Sequence, residues 1–123
     1  LYYRAKAYTK QKADKKAMED YRELAKDTRN PYGAEAKYQV AQSLYDAKEY
    51  AAAEKELLNY IEQSTPHAYW LARSFVLLSD VYHATGKDLD ARQYLLSLQQ
   101  NYQGNDDIES MIESRLSKLK VEN

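Results

Sequence analysis

The chain has no cysteine, which removes disulfides, thiolate nucleophiles and cysteine-based metal sites. The redox compartment stays open, because a cysteine-free chain is stable on either side of a membrane. Glycine and proline are scarce, at three and two residues. With Ala, Leu, Lys, Glu and Gln abundant, that scarcity favours long helices joined by short turns. Charge of one sign is also missing: 18 Lys and Arg stand against 19 Asp and Glu, so no global field draws the chain to nucleic acid or anionic lipid. No apolar run approaches the roughly 20 residues that span a bilayer. The candidate run Phe75-Val76-Leu77-Leu78 is closed by Ser79-Asp80. The chain opens on Leu1-Tyr2-Tyr3 rather than Met and shows no signal-peptide pattern. The expectation is a piece of a longer protein whose targeting signal lies elsewhere.

Catalytic constellations are missing too. No serine sits in a recognisable motif with a histidine and an acid, and no glycine-rich phosphate loop occurs. His67 and His83 stand several helical turns apart, too far for the i, i+4 spacing of a two-histidine metal pair. They read as surface residues at the two ends of one helix that starts at Pro66, with His83 beside Asp80 for a weak pH-sensitive contact. Asp106-Asp107 reads as a helix cap rather than a ligand pair. The expectation is that the chain is not an enzyme and takes neither metal nor cofactor.

What is present is a repeat. Ala53, Leu57 and Tyr60 reproduce the spacing of Ala17, Tyr21 and Leu24 and of Ala91, Leu95 and Leu98. The three sets recur at a period of roughly 36–38 residues, the scale of helical-repeat architectures. Twelve residues before each of these alanines stands another small residue, Ala5, Ala41 or Ser79, followed three residues later by Tyr8, Leu44 or Tyr82. A small residue at a fixed place on each of two helices lets their backbones approach, and the large residues beside it fill the groove. Punctuation agrees with two helices per copy. Asn30-Pro31 and Thr65-Pro66 each place a capping side chain before a proline at the first helical position. Lys12-Ala13-Asp14 and Lys48-Glu49-Tyr50 are turns inside the first two copies. Gly86 caps the run ending at Thr85, Asp88 opens the next helix, and Gly104 closes the third copy.

The final segment breaks the pattern. Asp106-Asp107-Ile108-Glu109 reads as a capping box with Asp106 as cap. Ile108, Met111, Ile112, Leu116 and Leu119 then form one apolar stripe that covers the last open face of the stack. The expected organisation is a single all-α domain over 1–123, with repeats at about 1–31, 32–66 and 67–104, a capping helix at about 106–120, and frayed residues at 121–123.

These motifs resemble the tetratricopeptide repeat (TPR) superfamily over residues 1 to about 104. The first-helix motif of that family is matched by Leu1 to Tyr8, Lys37 to Leu44 and Phe75 to Tyr82. Its second-helix motif is matched by Ala17 and Tyr21, Ala53 and Leu57, and Ala91 and Leu95. The repeat here is longer than the family's usual period of about 34 residues, and Trp70 precedes the first large position instead of occupying it. The stretch from Ala36 to Ala53 is similar to bacterial repeat proteins of the cell envelope. The tail from Tyr69 to Ile108 is similar to the C-terminal ends of large repeat proteins from Bacteroidetes-type bacteria. The resemblance implies a right-handed α-α superhelix, a protein-interaction scaffold, and a periplasmic or envelope location.

It also implies a concave groove lined by the first helix of each pair. Mapped onto this chain, that face takes Tyr2, Lys6, Thr9 and Lys10 from the first copy. Glu35, Tyr38, Gln42, Tyr45 and Asp46 follow from the second, and Arg73, Val76, Asp80 and His83 from the third. Thirteen tyrosines, against one Phe and one Trp, suit such a face, since Tyr supplies rigid contact area at low entropic cost, and they equally suit the seams between pairs. The carboxylate clamp known from the family is rejected, because of its positions only Lys6 carries the right charge and Asp80 repels a carboxylate. Residues 1–31 carry nine basic and five acidic side chains and 32–67 three and six. The Lys10, Lys12, Lys15 and Lys16 cluster reads first as a solvated helix end, and otherwise as a site for an acidic partner or for end-to-end contact with an oppositely charged neighbour. The expected partner is a protein or peptide, not nucleic acid, and there is no membrane insertion. The competing expectation is a structural segment that self-associates through the apolar edge at Leu1, Tyr2 and Ala5.

Overall fold

The computed structural model describes residues 1–63 and 66–119. Among them are seven α-helices and no strand: α1 (Tyr2–Lys10), α2 (Asp14–Leu24), α3 (Pro31–Asp46), α4 (Tyr50–Glu62), α5 (Ala68–Ala84), α6 (Asp88–Asn101) and α7 (Ile108–Leu116). Each helix packs on the next from α1 to α7. In addition α3 packs on α5 and α5 on α7, so alternate helices also touch.

The period of the sequence recurs in the backbone itself. Lys12 and Lys48 have φ of 59° and 62°, and Gly86 has 79°. All three occupy the left-handed conformation one residue beyond a helix C-cap. The next residue then donates back across the turn: Ala13 N to Tyr8 O at 2.8 Å, Glu49 N to Leu44 O at 2.9 Å, Lys87 N to Tyr82 O at 2.7 Å. This closes the helix end in the manner of a Schellman motif. The carbonyls of Ala13, Glu49 and Lys87 accept from Ala17, Ala53 and Ala91 at 3.0 Å and start the next helix. One residue thus ends one helix and caps the other, which is why the turns are so short.

The small residues sit where the sequence places them. Ala5, Ala41 and Ser79 are buried on the first helices, and Ala17, Ala53 and Ala91 on the second. Ser79 satisfies its hydroxyl on Val76 O of its own helix at 2.6 Å. Around these contacts Leu57, Tyr60, Leu77, Leu78 and Leu95 are fully buried, each worth about 1.5–3 kcal/mol of transfer free energy. Ala72, Val76, Leu95, Leu98, Ile108 and Ile112 form a second cluster at the C-terminal end, and Leu119 packs against both clusters. Ala5 belongs to the main cluster. The exposed N-terminal edge is therefore Leu1, Tyr3 and Tyr32, with Ala5 buried behind it.

Helix ends depart from expectation in places. Asn30 caps α3, its side chain accepting from Tyr32 N at 2.8 Å with Pro31 at the first position. The second such signal fails: α5 begins at Ala68 behind His67, so Pro66 stands outside the helix, and Thr65 lies outside the described residues. α7 is shorter than expected and ends at Leu116. The Asp106 side chain does accept from Ile108 N at 3.0 Å, while among the described residues Glu109 makes no return bond. The expected fraying of 121–123 lies outside the described residues. Gly33 was not flagged by its sequence context, yet a Cβ there would stand 1.8 Å from the Asp27 carbonyl oxygen.

The left-handed residues give a direct test. A non-glycine residue at positive φ costs about 1–2 kcal/mol, partly offset by the entropy that glycine loses on folding. Lys12→Gly and Lys48→Gly are each expected to raise stability by about 0.5–1 kcal/mol, and Gly86→Ala to lower it by about 1 kcal/mol. Urea denaturation midpoints check this, and a loss of stability in both lysine variants would refute the shared-turn description.

Candidate interaction face

The first helices are tied to one another by a ladder of polar contacts along one face. Between α1 and α3, Tyr2 OH donates to Glu35 Oε1 at 2.9 Å, and Lys6 Nζ lies 3.4 Å from Glu35 Oε2. The same ammonium sits 4.6 Å above the Tyr2 ring. Between α3 and α5, Arg73 Nη2 donates to Tyr38 OH at 3.0 Å. That hydroxyl donates to Gln42 Oε1 at 2.9 Å, and Gln42 Nε2 donates to Asp46 Oδ1 at 2.9 Å. Between α5 and α7, Arg115 reaches both oxygens of Asp80 at 3.3 and 3.4 Å, and Tyr69 OH donates to Asp107 Oδ1, just ahead of α7, at 3.0 Å. The separations along the chain in these ties all lie close to one repeat length.

The mapped residues therefore divide. Tyr2, Lys6, Glu35, Tyr38, Arg73 and Asp80 are engaged between helices, and Glu35 and Tyr38 are buried. The Arg73 guanidinium lies 4.9 Å from the Tyr38 ring centroid and 5.9 Å from those of Tyr69 and Trp70. Its Nε is buried with no partner among the described residues; three ring faces surround the charge in place of an acceptor. Val76 is buried in the C-terminal cluster and does not face out as mapped. Thr9, Lys10, Asp46 and His83 are exposed, with Gln42 and Tyr45 half-buried. His83 meets Asp88 rather than Asp80, at 2.8 Å from Nδ1. Asp80 is already taken by Arg115 of α7, a helix expected only to cover the end of the stack.

Two cavities open on this face. One, of about 430 Å³, is lined by Thr9, Asp14, Met18, Tyr21, Gln42 and Asp46 among others. The second, of about 360 Å³, is lined by Gln42, Tyr45, Asp80, His83, Arg115 and Lys118 among others. Arg115 and Lys118 were not mapped, because α7 lies outside the repeat pattern that generated the mapping. Among the described residues no group of three or more His, Asp or Glu side chains is placed to hold a metal ion, and no helix is long and apolar enough to cross a membrane. Compared with family models, curated proteins and solved structures, the chain finds no match.

Two carboxylates on this scaffold titrate in opposite directions. Burial holds the Asp80 carboxyl above its ordinary value of 3.8, against the pull of Arg115. The hydrogen bonds from Arg4, at 2.7 and 2.8 Å, hold the Asp20 carboxyl below 3.8. A raised carboxyl keeps its proton in the folded chain after the unfolded chain has ionised, so Asp80 makes stability fall as pH rises from 3.8 through its folded value. Asp20 contributes stability that is present above 3.8 and lost as pH falls through its lowered value. Asp80→Asn is expected to abolish the first trend, Asp20→Asn the second, and Arg115→Gln to steepen the first. Urea midpoints measured between about pH 2 and pH 7 decide it; an unchanged pH profile in Asp80→Asn counts against the assignment.

Proposed function

We propose that this chain is a TPR-like helical-repeat scaffold that presents the shared face of α1, α3 and α5 to a protein or peptide partner, and that it is not an enzyme. The supporting observation is the polar ladder. Each first helix is fixed to the next by side chains at the repeat separation, so the face is pre-formed, and a partner does not bear the cost of ordering it. Along that fixed face Lys10, Gln42, Tyr45, Asp46 and His83 stay accessible beside the two cavities. A right-handed superhelix with α7 as its cap is the architecture proposed here. The resemblance to envelope repeat proteins favours a periplasmic or envelope setting.

A second reading, self-association, is favoured by one observation. Leu1, Tyr3 and Tyr32 are 52, 76 and 44% exposed. Tyr2 joins the two tyrosines, its ring centroid 5.2 Å from Tyr3 and 4.5 Å from Tyr32. The neighbouring positive charge on α1, from Arg4, Lys6 and Lys10, opposes like-to-like contact at this edge.

The face is tested by comparing bound protein partners across variants. Lys10→Glu with Lys118→Glu alters exposed positions on it, and Lys55→Glu alters an exposed position on α4 as a control. Partners held by wild type and by Lys55→Glu are expected to be lost from the first variant with its thermal melt unchanged. Equal retention by all three removes the face from consideration. Light scattering across a concentration range separates the second reading: a strict monomer at high concentration ends it.

A further inference from the structure

The two junctions between helix pairs are built from corresponding residues, but only one of them is filled. At the second junction Tyr45 and Tyr50 pack edge to face with ring centroids 5.6 Å apart, and Leu77 and Val81 are buried in the main cluster that both tyrosines pack against. One repeat earlier, the positions of Tyr45 and Tyr50 are held by Thr9 and Asp14, and those of Leu77 and Val81 by Gln39 and Ser43. All four replacements are smaller or more polar. In the third copy the positions of Tyr45 and Tyr50 are held by His83 and Asp88, which hydrogen-bond at 2.8 Å. Only the first copy leaves its pair unjoined, because Thr9 turns its hydroxyl onto Ala5 O at 3.0 Å. The result is the cleft of about 430 Å³, which also takes in Ala17, Met18 and Tyr21 of α2.

Its charge is as informative as its shape. Asp14 makes no ion pair among the described residues, and Asp46 receives only the Gln42 amide at 2.9 Å. One repeat further on, the position of Gln42 is held by Asp80, and there the chain supplies its own guanidinium from α7. Among the described residues no side chain fills the corresponding role at the first junction. Asp14 and Asp46 line the cleft together with Met18 and Tyr21, a lining that offers apolar surface to a Lys or Arg stem and carboxylates to its cation. Around the cleft, Lys10, Lys12, Lys15 and Lys16 are exposed and disfavour a wholly basic segment.

We infer that the cleft between α1, α2 and α3 is a side-chain pocket for one Arg or Lys of a partner peptide, flanked in that peptide by acidic residues that meet the surrounding lysines. This rests on the scaffold reading and specifies the partner's chemistry. The test is a titration of isotope-labelled protein followed by NMR, with the blocked tripeptides acetyl-Glu-Arg-Glu-amide and acetyl-Glu-Gln-Glu-amide as probes. The arginine peptide is expected to give saturable shifts at the Ala17 and Ala47 amides and the Met18 methyl, and the glutamine peptide none. Asp14→Asn with Asp46→Asn should weaken binding at least tenfold while leaving the fold intact, since both side chains are exposed. Thr9→Tyr with Asp14→Tyr, which restores the pair of the second copy, should abolish binding and raise the melting temperature. Equal shifts from both peptides, no saturable shifts, or undiminished binding in the double Asn variant would overturn the pocket. Should the accessible-face variant still lose its partners in that event, the scaffold reading stands and only the pocket falls.

Discussion

Everything in this molecule depends on how closely the two helices of a pair approach, and that is set by six small residues and three left-handed turns. Ala5 with Ala17, Ala41 with Ala53, and Ser79 with Ala91 are almost wholly buried. A larger side chain at any of them would separate the backbones and leave Tyr21, Leu57 and Leu95 without a packed groove. The turns hold the spacing by chemistry rather than by length. A residue at positive φ lets the following amide reach back to the first helix, while the carbonyl of that following residue starts the second. That two of the three are lysine shows the geometry being kept against an intrinsic backbone cost.

The repeat was readable because close packing constrains residue size at a fixed period, and size is visible in a sequence. All five repeated positions in each copy fall on the inner sides of the helices, with only Tyr8 and Leu24 less than buried. Helix ends were readable where the signal is a local side-chain bond, as at Asn30, and not where a loop detour intervenes, as after Pro66. The Gly33 contact was not readable at all, since it reports a carbonyl from the preceding loop rather than any feature of α3. Such a contact needs the tertiary structure to be seen.

The candidate face was harder to read than the fold, for a related reason. Mapping by helical position says which way a residue points but not what it meets. Tyr38 and Arg73 point along the face and are consumed by each other. Val76 is one helical turn from half-buried Asp80 and is itself enclosed in the cluster that α7 completes. Arg115 was invisible to the mapping because it arrives from outside the repeat. The tyrosines divide: Tyr60 is a core residue, Tyr2 and Tyr69 are ties between helices, and Tyr3 is exposed.

The ladder and the open junction together show how a chain of this size divides its side chains. Every polar group spent on tying α1 to α3, α3 to α5 and α5 to α7 is no longer free for another contact, but it fixes the positions of the groups that remain. Rigidity of this kind matters most where the remaining groups are few, because a single cation site gains affinity mainly from preorganisation rather than from area. The second and third copies seal their turn positions with Tyr45 and Tyr50 or with His83 and Asp88. The first does not, although the same backbone would accommodate such a pair. A position that the fold can fill, and that two copies do fill, is a position whose vacancy carries information. Here it lies beside two carboxylates with little internal use, which is why the proposed recognition chemistry is placed at the first junction.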